Sequence, residues 1–246
     1  MGAKPSVNEK SPSYDSIHED WPWVWGIRDP EFLDWKRDMS DDEIQAQALR
    51  QSEMPVPITE QVHLGNAQSV ESISSLEAFG ITAVLNVAGP LALRRKTIQA
   101  CKKNGIQYKQ IAAEDEPDYP MLQNHWQEAF DFIKSTTRDG NGKCVVHCMA
   151  GMNRSGLIVA AYYMLTTQTP VLQTVKHIRK QRGNIALCNE GFQQQLVAMA
   201  RMHNLLGAKP GTAESIITEV PPPAANDLTW ASTAKTKNNP LDRIAS

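Results

Sequence analysis

Residues 143–165 constrain the fold of this chain more than any other stretch. Lys143-Cys144-Val145-Val146-His147 is a short run rich in β-branched residues, which reads as a buried strand. Gly156 to Leu165 is an almost wholly apolar run, Gly-Leu-Ile-Val-Ala-Ala-Tyr-Tyr-Met-Leu, long enough for a buried helix. Between them, Cys148-Met149-Ala150-Gly151-Met152-Asn153-Arg154-Ser155 must carry the chain from the strand into the helix N-terminus.

That position gives the loop a chemistry. Helix N-termini leave backbone N–H groups unpaired and carry partial positive charge, so they attract anions. The N–H groups of Met149, Ala150, Gly151, Met152, Asn153 and Arg154 are expected to point inward and form a binding cradle for a phosphoryl group. Gly151 permits a backbone conformation that a Cβ would oppose. Arg154 supplies a planar fork for two phosphoryl oxygens. The same positive field favours the thiolate of Cys148, the form that acts as nucleophile. The Ser155 hydroxyl is placed to donate to that sulfur and improve it as a leaving group. His147 reads as a brace for the loop rather than a proton carrier.

These residues resemble the signature of the cysteine-dependent protein tyrosine phosphatase superfamily, and the chain looks most like its dual-specificity branch. The likeness extends beyond the loop. Ile58-Thr59-Glu60-Gln61-Val62-His63-Leu64-Gly65 is similar to the first strand pair of that branch, and Gly80-Ile81-Thr82-Ala83-Val84-Leu85-Asn86-Val87 to its next core strand. Asn189-Glu190-Gly191-Phe192-Gln193-Gln194-Gln195-Leu196 resembles the start of its last helix. The resemblance implies a catalytic domain over residues 57–207 after an N-terminal extension over 1–56; residues 208–246, with Pro221-Pro222-Pro223 and few large apolar residues, read as a disordered tail. No tyrosine-recognition segment is evident. A shallow pocket open to phosphoserine and phosphothreonine as well as phosphotyrosine is therefore implied.

Family members carry an acidic residue on a loop before the nucleophile. Here the polar break Ala113-Glu114-Asp115-Glu116-Pro117-Asp118 supplies the candidates, and Asp115 fits best as general acid and base, with Asp118 the alternate. The other acids of the cluster read as a solvated loop with helix-capping carboxylates. The implied reaction is hydrolysis of a phosphomonoester through a phosphocysteine intermediate, carried by Cys148, Arg154, Asp115 and Ser155. No cofactor is implied, and no cluster of residues shows metal-ligand spacing.

Composition bounds the rest. The chain has 246 residues, 41% of them hydrophobic, enough for one ample domain with extensions. A net charge of −2 gives no global field toward nucleic acid or acidic membranes. Neither a transmembrane run nor a secretory signal is visible. The four cysteines do not make a disulfide framework in a chain this long. The expected location is cytoplasmic, with peripheral membrane association as a further reading. Cys101 and Cys144 read as buried thiols, the alternative being a protective disulfide with Cys148.

The start, Met1-Gly2-Ala3-Lys4-Pro5-Ser6, fits the N-myristoylation pattern, with Gly2 the lipidation site. One acyl chain gives only reversible membrane association. Four of the six tryptophans lie at Trp21, Trp23, Trp25 and Trp35. They read as an arm packed on the domain, or as a partner-binding or membrane-interface patch; Glu19 and Asp20 count against an anionic membrane. Ser40-Asp41-Asp42-Glu43 is a capping box that predicts a helix from Asp41 to about Gln51.

Beyond it, periodicity predicts alternating elements. They are a helix over Ser69–Phe79 stopped by Gly80, a strand over Ile81–Val87, a helix near Leu93–Asn104 and a strand over Ile106–Ile111. A helix from Tyr119 to Thr137 follows. After the helix that bears Ser155, Thr169-Pro170 is an expected N-cap and first turn for a helix ending at Gly183. The last helix is expected over Asn189–Leu206, stopped by Gly207. This alternation predicts an α/β domain with a central mixed sheet flanked by helices. Arg94-Arg95-Lys96 and Lys102-Lys103 read as a solvated helix face, or as a dock for an acidic partner.

Rival activities remain at this point. Asn153 and Gly156 resemble RNA 5′-triphosphatases of the same superfamily, which carry Thr-His where this chain has Met149-Ala150 and do not use the aspartate. Phosphoinositide phosphatases place basic residues where Met149 and Met152 stand. A non-catalytic phosphate-binding scaffold would need no nucleophile. A phosphoprotein is the expected partner, with no nucleic acid expected beyond the RNA-end reading.

Overall fold

The computed structural model describes residues 14–29, 32, 40, 42–43 and 55–212, with backbone alone for 14–18. Gly2, Trp35, most of the helix expected from Asp41 and all but residues 208–212 of the tail expected over 208–246 lie outside them. Ser40 and Glu43 do exchange the reciprocal hydrogen bonds of a capping box, Glu43 N–H to Ser40 Oγ at 3.3 Å and Ser40 N–H to Glu43 Oε2 at 2.9 Å.

Five strands form one mixed sheet: β1 (Val56–Pro57), β2 (Val62–Gly65), β3 (Ala83–Asn86), β4 (Gln107–Gln110) and β5 (Cys144–His147). The order is β1-β2-β5-β3-β4. Only β1 runs antiparallel, against β2; the pairings of β2 with β5, β5 with β3 and β3 with β4 are parallel. The last strand in sequence thus occupies the middle, where its apolar run is covered on both faces.

Seven helices surround the sheet among the described residues: α1 (Tyr14–Arg28), α2 (Ile73–Ala78), α3 (Arg95–Lys103), α4 (Met121–Thr137), α5 (Arg154–Thr167), α6 (Val171–Arg182) and α7 (Glu190–Met202). Alternation along the strands sorts the core into two layers. Cys144, Val146, Ala83 and Leu85 face the larger layer, with α1 and α4 to α7. Val145 and Val84 face the smaller one, with Leu76 of α2 and Cys101 of α3. Nine of the fourteen residues of α5 are buried. At about 1.5–3 kcal/mol per large apolar side chain, this burial makes α5 a rigid support for the loop at its N-terminus.

The structure corrects several expected boundaries. The helix expected over Ser69–Phe79 is a 3-10 turn at Gln68–Val70 followed by α2, because the Ser72 side chain accepts from Ser75 N–H and starts a new helix. Thr169 does not cap α6. Pro170 takes the N-cap position with no side-chain bond, while the Thr169 carbonyl accepts from the Thr174 hydroxyl at 3.2 Å. Nor does Gly207 stop the last helix. α7 ends at Met202, and Asn204 turns left-handed at φ 58° so that Leu205 N–H reaches the Ala200 carbonyl at 2.7 Å. The sheet also begins one residue before the expected domain boundary, since Val56 pairs with Leu64.

The tryptophan segment is α1. Val24 and Ile27 are buried against the domain, and Trp23 Nε1 donates to the Leu206 carbonyl at 2.8 Å. Glu19 and Asp20 both pair with Arg201 of α7, so they are not bare acids on the surface. Trp21 and Trp25 lie on the opposite side of the helix, stacked with ring centres 6.0 Å apart. Among the described residues no helix is long and apolar enough to cross a membrane.

Candidate active site

The parallel pairing brings the C-terminal ends of β2, β3, β4 and β5 to one edge of the sheet, the edge where open α/β sheets bind ligands. The loop from Cys148 to Asn153 leaves β5 there and runs into α5. Gly151 sits at φ 65°, and a Cβ on it would lie 2.6 Å from the Gly65 carbonyl oxygen. Both facts oppose a larger residue: the conformation favours glycine, and the backbone of β2 fills the space.

Cys148 is 1% exposed. Its Sγ accepts from Gly151 N–H and from the Ser155 hydroxyl, each at 3.2 Å. Two donors thus converge on one sulfur at a helix N-terminus. Arg154 opens α5; its Nη1 donates to the Ala113 carbonyl at 3.1 Å. Its Nε lies 3.6 Å from Asp115 Oδ2, is buried and has no hydrogen-bond partner, a donor suited to an anion. His147 is buried, and its Nδ1 bonds the Cys148 carbonyl at 3.2 Å. Burial pushes its pKa down to about 4, so it stays neutral at physiological pH and braces the loop.

Asp115 is thus brought to the loop despite lying 33 residues before Cys148 in sequence. Two contacts hold it: the Arg154 guanidinium, and Asn189 Nδ2 donating to its Oδ1 at 3.2 Å. Asp118 is exposed and takes no part in this network. Met149 is 51% exposed at the mouth, Ala150 is exposed, and Met152 and Asn153 are half-buried. The Asn153 side chain works as a tie, its Oδ1 accepting from Asn189 N–H at 3.0 Å and from the Cys188 thiol at 3.3 Å.

Sequence reasoning missed Asn189, Arg179 and Arg182 as parts of this site. Asn189 caps α7 by accepting from Phe192 N–H at 3.2 Å while its amide nitrogen holds Asp115. Arg182 donates to the carbonyls of Gly151 at 2.9 Å and Ala150 at 2.8 Å, so it buttresses the loop from behind. Arg179 donates to the carbonyls of Ala186, Leu187 and Ile27. A signal existed for both arginines. They fall at helical spacing on the stripe set by Val171, Val175 and Ile178, where a charge must find buried acceptors.

Neither cysteine considered as a disulfide partner reaches Cys148. Cys144 lies four residues earlier along β5, about 13 Å away at strand rise, beyond disulfide reach. Cys101 belongs to the other core layer. Both are buried free thiols; burial raises the pKa of each, that of Cys144 to about 12. Among the described residues no group of three or more His, Cys, Asp or Glu side chains is placed to hold a metal ion.

The family model described as "Dual specificity phosphatase, catalytic domain" matches residues 62–202. Dual specificity protein phosphatase 26 of Homo sapiens is 35% identical over 140 residues, which cover 57% of this chain and 64% of that protein. Dual specificity protein phosphatase 5 of Rattus norvegicus is 38% identical over 143 residues, 58% of this chain and 35% of that protein. The crystal structure of DUSP15 aligns with a TM-score of 0.52 at 26% identity, covering 69% of this chain and 100% of that one.

Proposed function

The chain belongs to the family of dual specificity phosphatase catalytic domains, and on that premise we propose that it hydrolyses phosphotyrosine and phosphoserine or phosphothreonine in protein substrates. Residues 57–207 form the catalytic domain in this reading. The observation that carries it is the double donation to Cys148 Sγ from Gly151 N–H and Ser155 Oγ, with Asp115 held beside the same site by Arg154 and Asn189.

The reaction runs in two displacements. The Cys148 thiolate attacks phosphorus and forms an S–P bond as the ester P–O bond breaks. Asp115 gives its proton to the departing oxygen. Arg154 and the loop N–H groups stabilise charge on the equatorial oxygens. Water then attacks phosphorus and gives its proton to the Asp115 carboxylate. The S–P bond breaks, and Ser155 donates to the sulfur as it leaves.

Two features support this over the rival readings. The placement of Asp115 beside the loop by Arg154 and Asn189 supports a reaction with a leaving group to protonate, unlike the triphosphatase reading, which does not use the aspartate. The exposed Met149 and Ala150 give the mouth no cation for a polyphosphorylated inositol. The test is turnover of an aryl phosphate, phosphopeptides, a phosphoinositide panel and triphosphate-ended RNA by purified protein. Aryl phosphate and phosphopeptide turnover that disappears in Cys148→Ser is expected; undiminished turnover by that variant refutes the mechanism. The Met1-Gly2-Ala3-Lys4-Pro5-Ser6 pattern supports cytoplasmic residence with reversible membrane association through myristate on Gly2. Incorporation of a myristate analogue that is lost in Gly2→Ala checks it.

A further inference from the structure

α1 lies wholly outside the segment matched by the phosphatase family, which begins at residue 62. It is nevertheless connected to both sides of the active site. Arg179, 3% exposed, spends its guanidinium on three carbonyls: Ala186 at 3.0 Å, Leu187 at 3.2 Å and, in α1, Ile27 at 2.7 Å. Leu187 N–H in turn donates to the Met152 carbonyl of the phosphate loop at 3.1 Å. Two residues later, Asn189 holds Asp115, and Arg28 of α1 pairs with Glu190 at 2.9 Å. The segment 186–190 therefore stands between the phosphate loop and the acid. α1 fastens it at both ends, through the Ile27 carbonyl at one and the Arg28 guanidinium at the other.

We propose that α1 is a working part of the catalytic unit, with Arg179 as the positioning residue through which it sets the placement of Asn189 and hence of Asp115. The physical reason is the buried guanidinium. A buried cation needs its donors satisfied, so Arg179 cannot release the Ile27 carbonyl without shifting toward other acceptors and taking the 186–187 backbone with it. The inference rests on the phosphatase reading and on Asp115 as its general acid.

A leaving-group comparison tests it in the full-length chain. A good leaving group, such as a low-pKa aryl oxide, departs with little help from an acid, whereas the alkoxide of phosphoserine requires it. One variant, Arg179→Lys, keeps the charge but loses the fork. Another, Trp23→Phe with Arg201→Gln, loosens α1 at anchors remote from the chemistry, the Leu206 carbonyl and the Glu19–Asp20 pair. In both, the ratio of aryl phosphate turnover to phosphoserine-peptide turnover should rise about tenfold, a part of the 10²–10⁴ that a general acid contributes. KM should change little. The ratio cancels any loss of folded protein, so a merely destabilising effect does not move it. In an Asp115→Asn background the same changes should leave the ratio unaltered. A ratio that stays flat in the active chain, or still shifts without the acid, overturns the inference alone. An unmutated chain inert toward both substrates overturns the phosphatase reading and this inference with it.

Discussion

Gly191→Ala isolates the contact between α7 and the acid loop. Gly191 sits in the first turn of α7, and a Cβ built there falls well inside van der Waals contact with the Pro117 carbonyl oxygen and 2.9 Å from Pro117 Cα. Restoring ordinary contact requires a retreat of about 2 Å. The helix is the stiffer partner. Phe192 and Leu196 are fully buried, Asn189 caps the helix, and Arg28 pins Glu190. Residues 114–118 are exposed, so the loop is the part that moves.

Asp115 lies two residues from Pro117, and it must move against contacts of 3.6 Å to Arg154 and 3.2 Å to Asn189. A misplacement of an ångström or more costs on the order of 10²-fold in a positioned step. Overpacking against the Pro117 backbone should cost about 1–3 kcal/mol of stability. The expected variant is folded, slowed by about two orders of magnitude on phosphoserine peptide, and affected far less on an aryl phosphate with a good leaving group. Steady-state kinetics on both substrates, with thermal unfolding alongside, read this out. Full phosphoserine activity in Gly191→Ala would refute the placement of the acid by this contact.

Ser155→Ala removes the hydroxyl that donates to Cys148 Sγ at 3.2 Å. Because that bond matters most as the sulfur leaves, rapid mixing should show a burst of released alcohol followed by a slower steady rate; a slowed burst with no accumulation would contradict the assignment. Gly151→Ala forces a Cβ against the Gly65 carbonyl at a position with φ 65°. Denaturant unfolding should show a loss of about 1–3 kcal/mol, and activity should fall with loop geometry on every substrate, whatever its leaving group. Burial lowers the pKa of both His63 and His147 to about 4. Below pH 6.5 the unfolded chain binds protons that the folded state refuses, so stability is fullest above that value and falls as pH drops toward 4, by on the order of a few kcal/mol. Unfolding midpoints between pH 7 and 5 that do not change would contradict it, and His147→Asn should flatten part of the slope.

Much of the site was legible in sequence because it is local. Cys148, Gly151, Arg154 and Ser155 lie within eight consecutive residues, and a strand-to-helix turn fixes their mutual geometry by backbone sterics alone. The alternation of β-branched and amphipathic runs likewise announced the sheet and its flanking helices, since each buried face must repeat at the period of its element. Helix ends were less legible. Thr169 and Gly207 are good local signals, yet Pro170 and the left-handed Asn204 determined where α6 begins and α7 ends, because packing of the 203–207 turn against α6 and α1 outweighed propensity.

What the sequence by itself determined is the strand–loop–helix turn that carries Cys148, Gly151, Arg154 and Ser155, and the layered α/β class that holds it. Tertiary structure alone showed what holds the favoured acid beside the loop. The sequence favours Asp115 over Asp118 by its distance from Cys148, and the fold brings Asp115 to Arg154 and Asn189, two partners its neighbours in sequence do not announce. The fold alone also brought α1 to Arg179. The reason is physical: local sterics are written in neighbouring residues, whereas partners for a buried charge are chosen from whatever the completed packing places within hydrogen-bond reach.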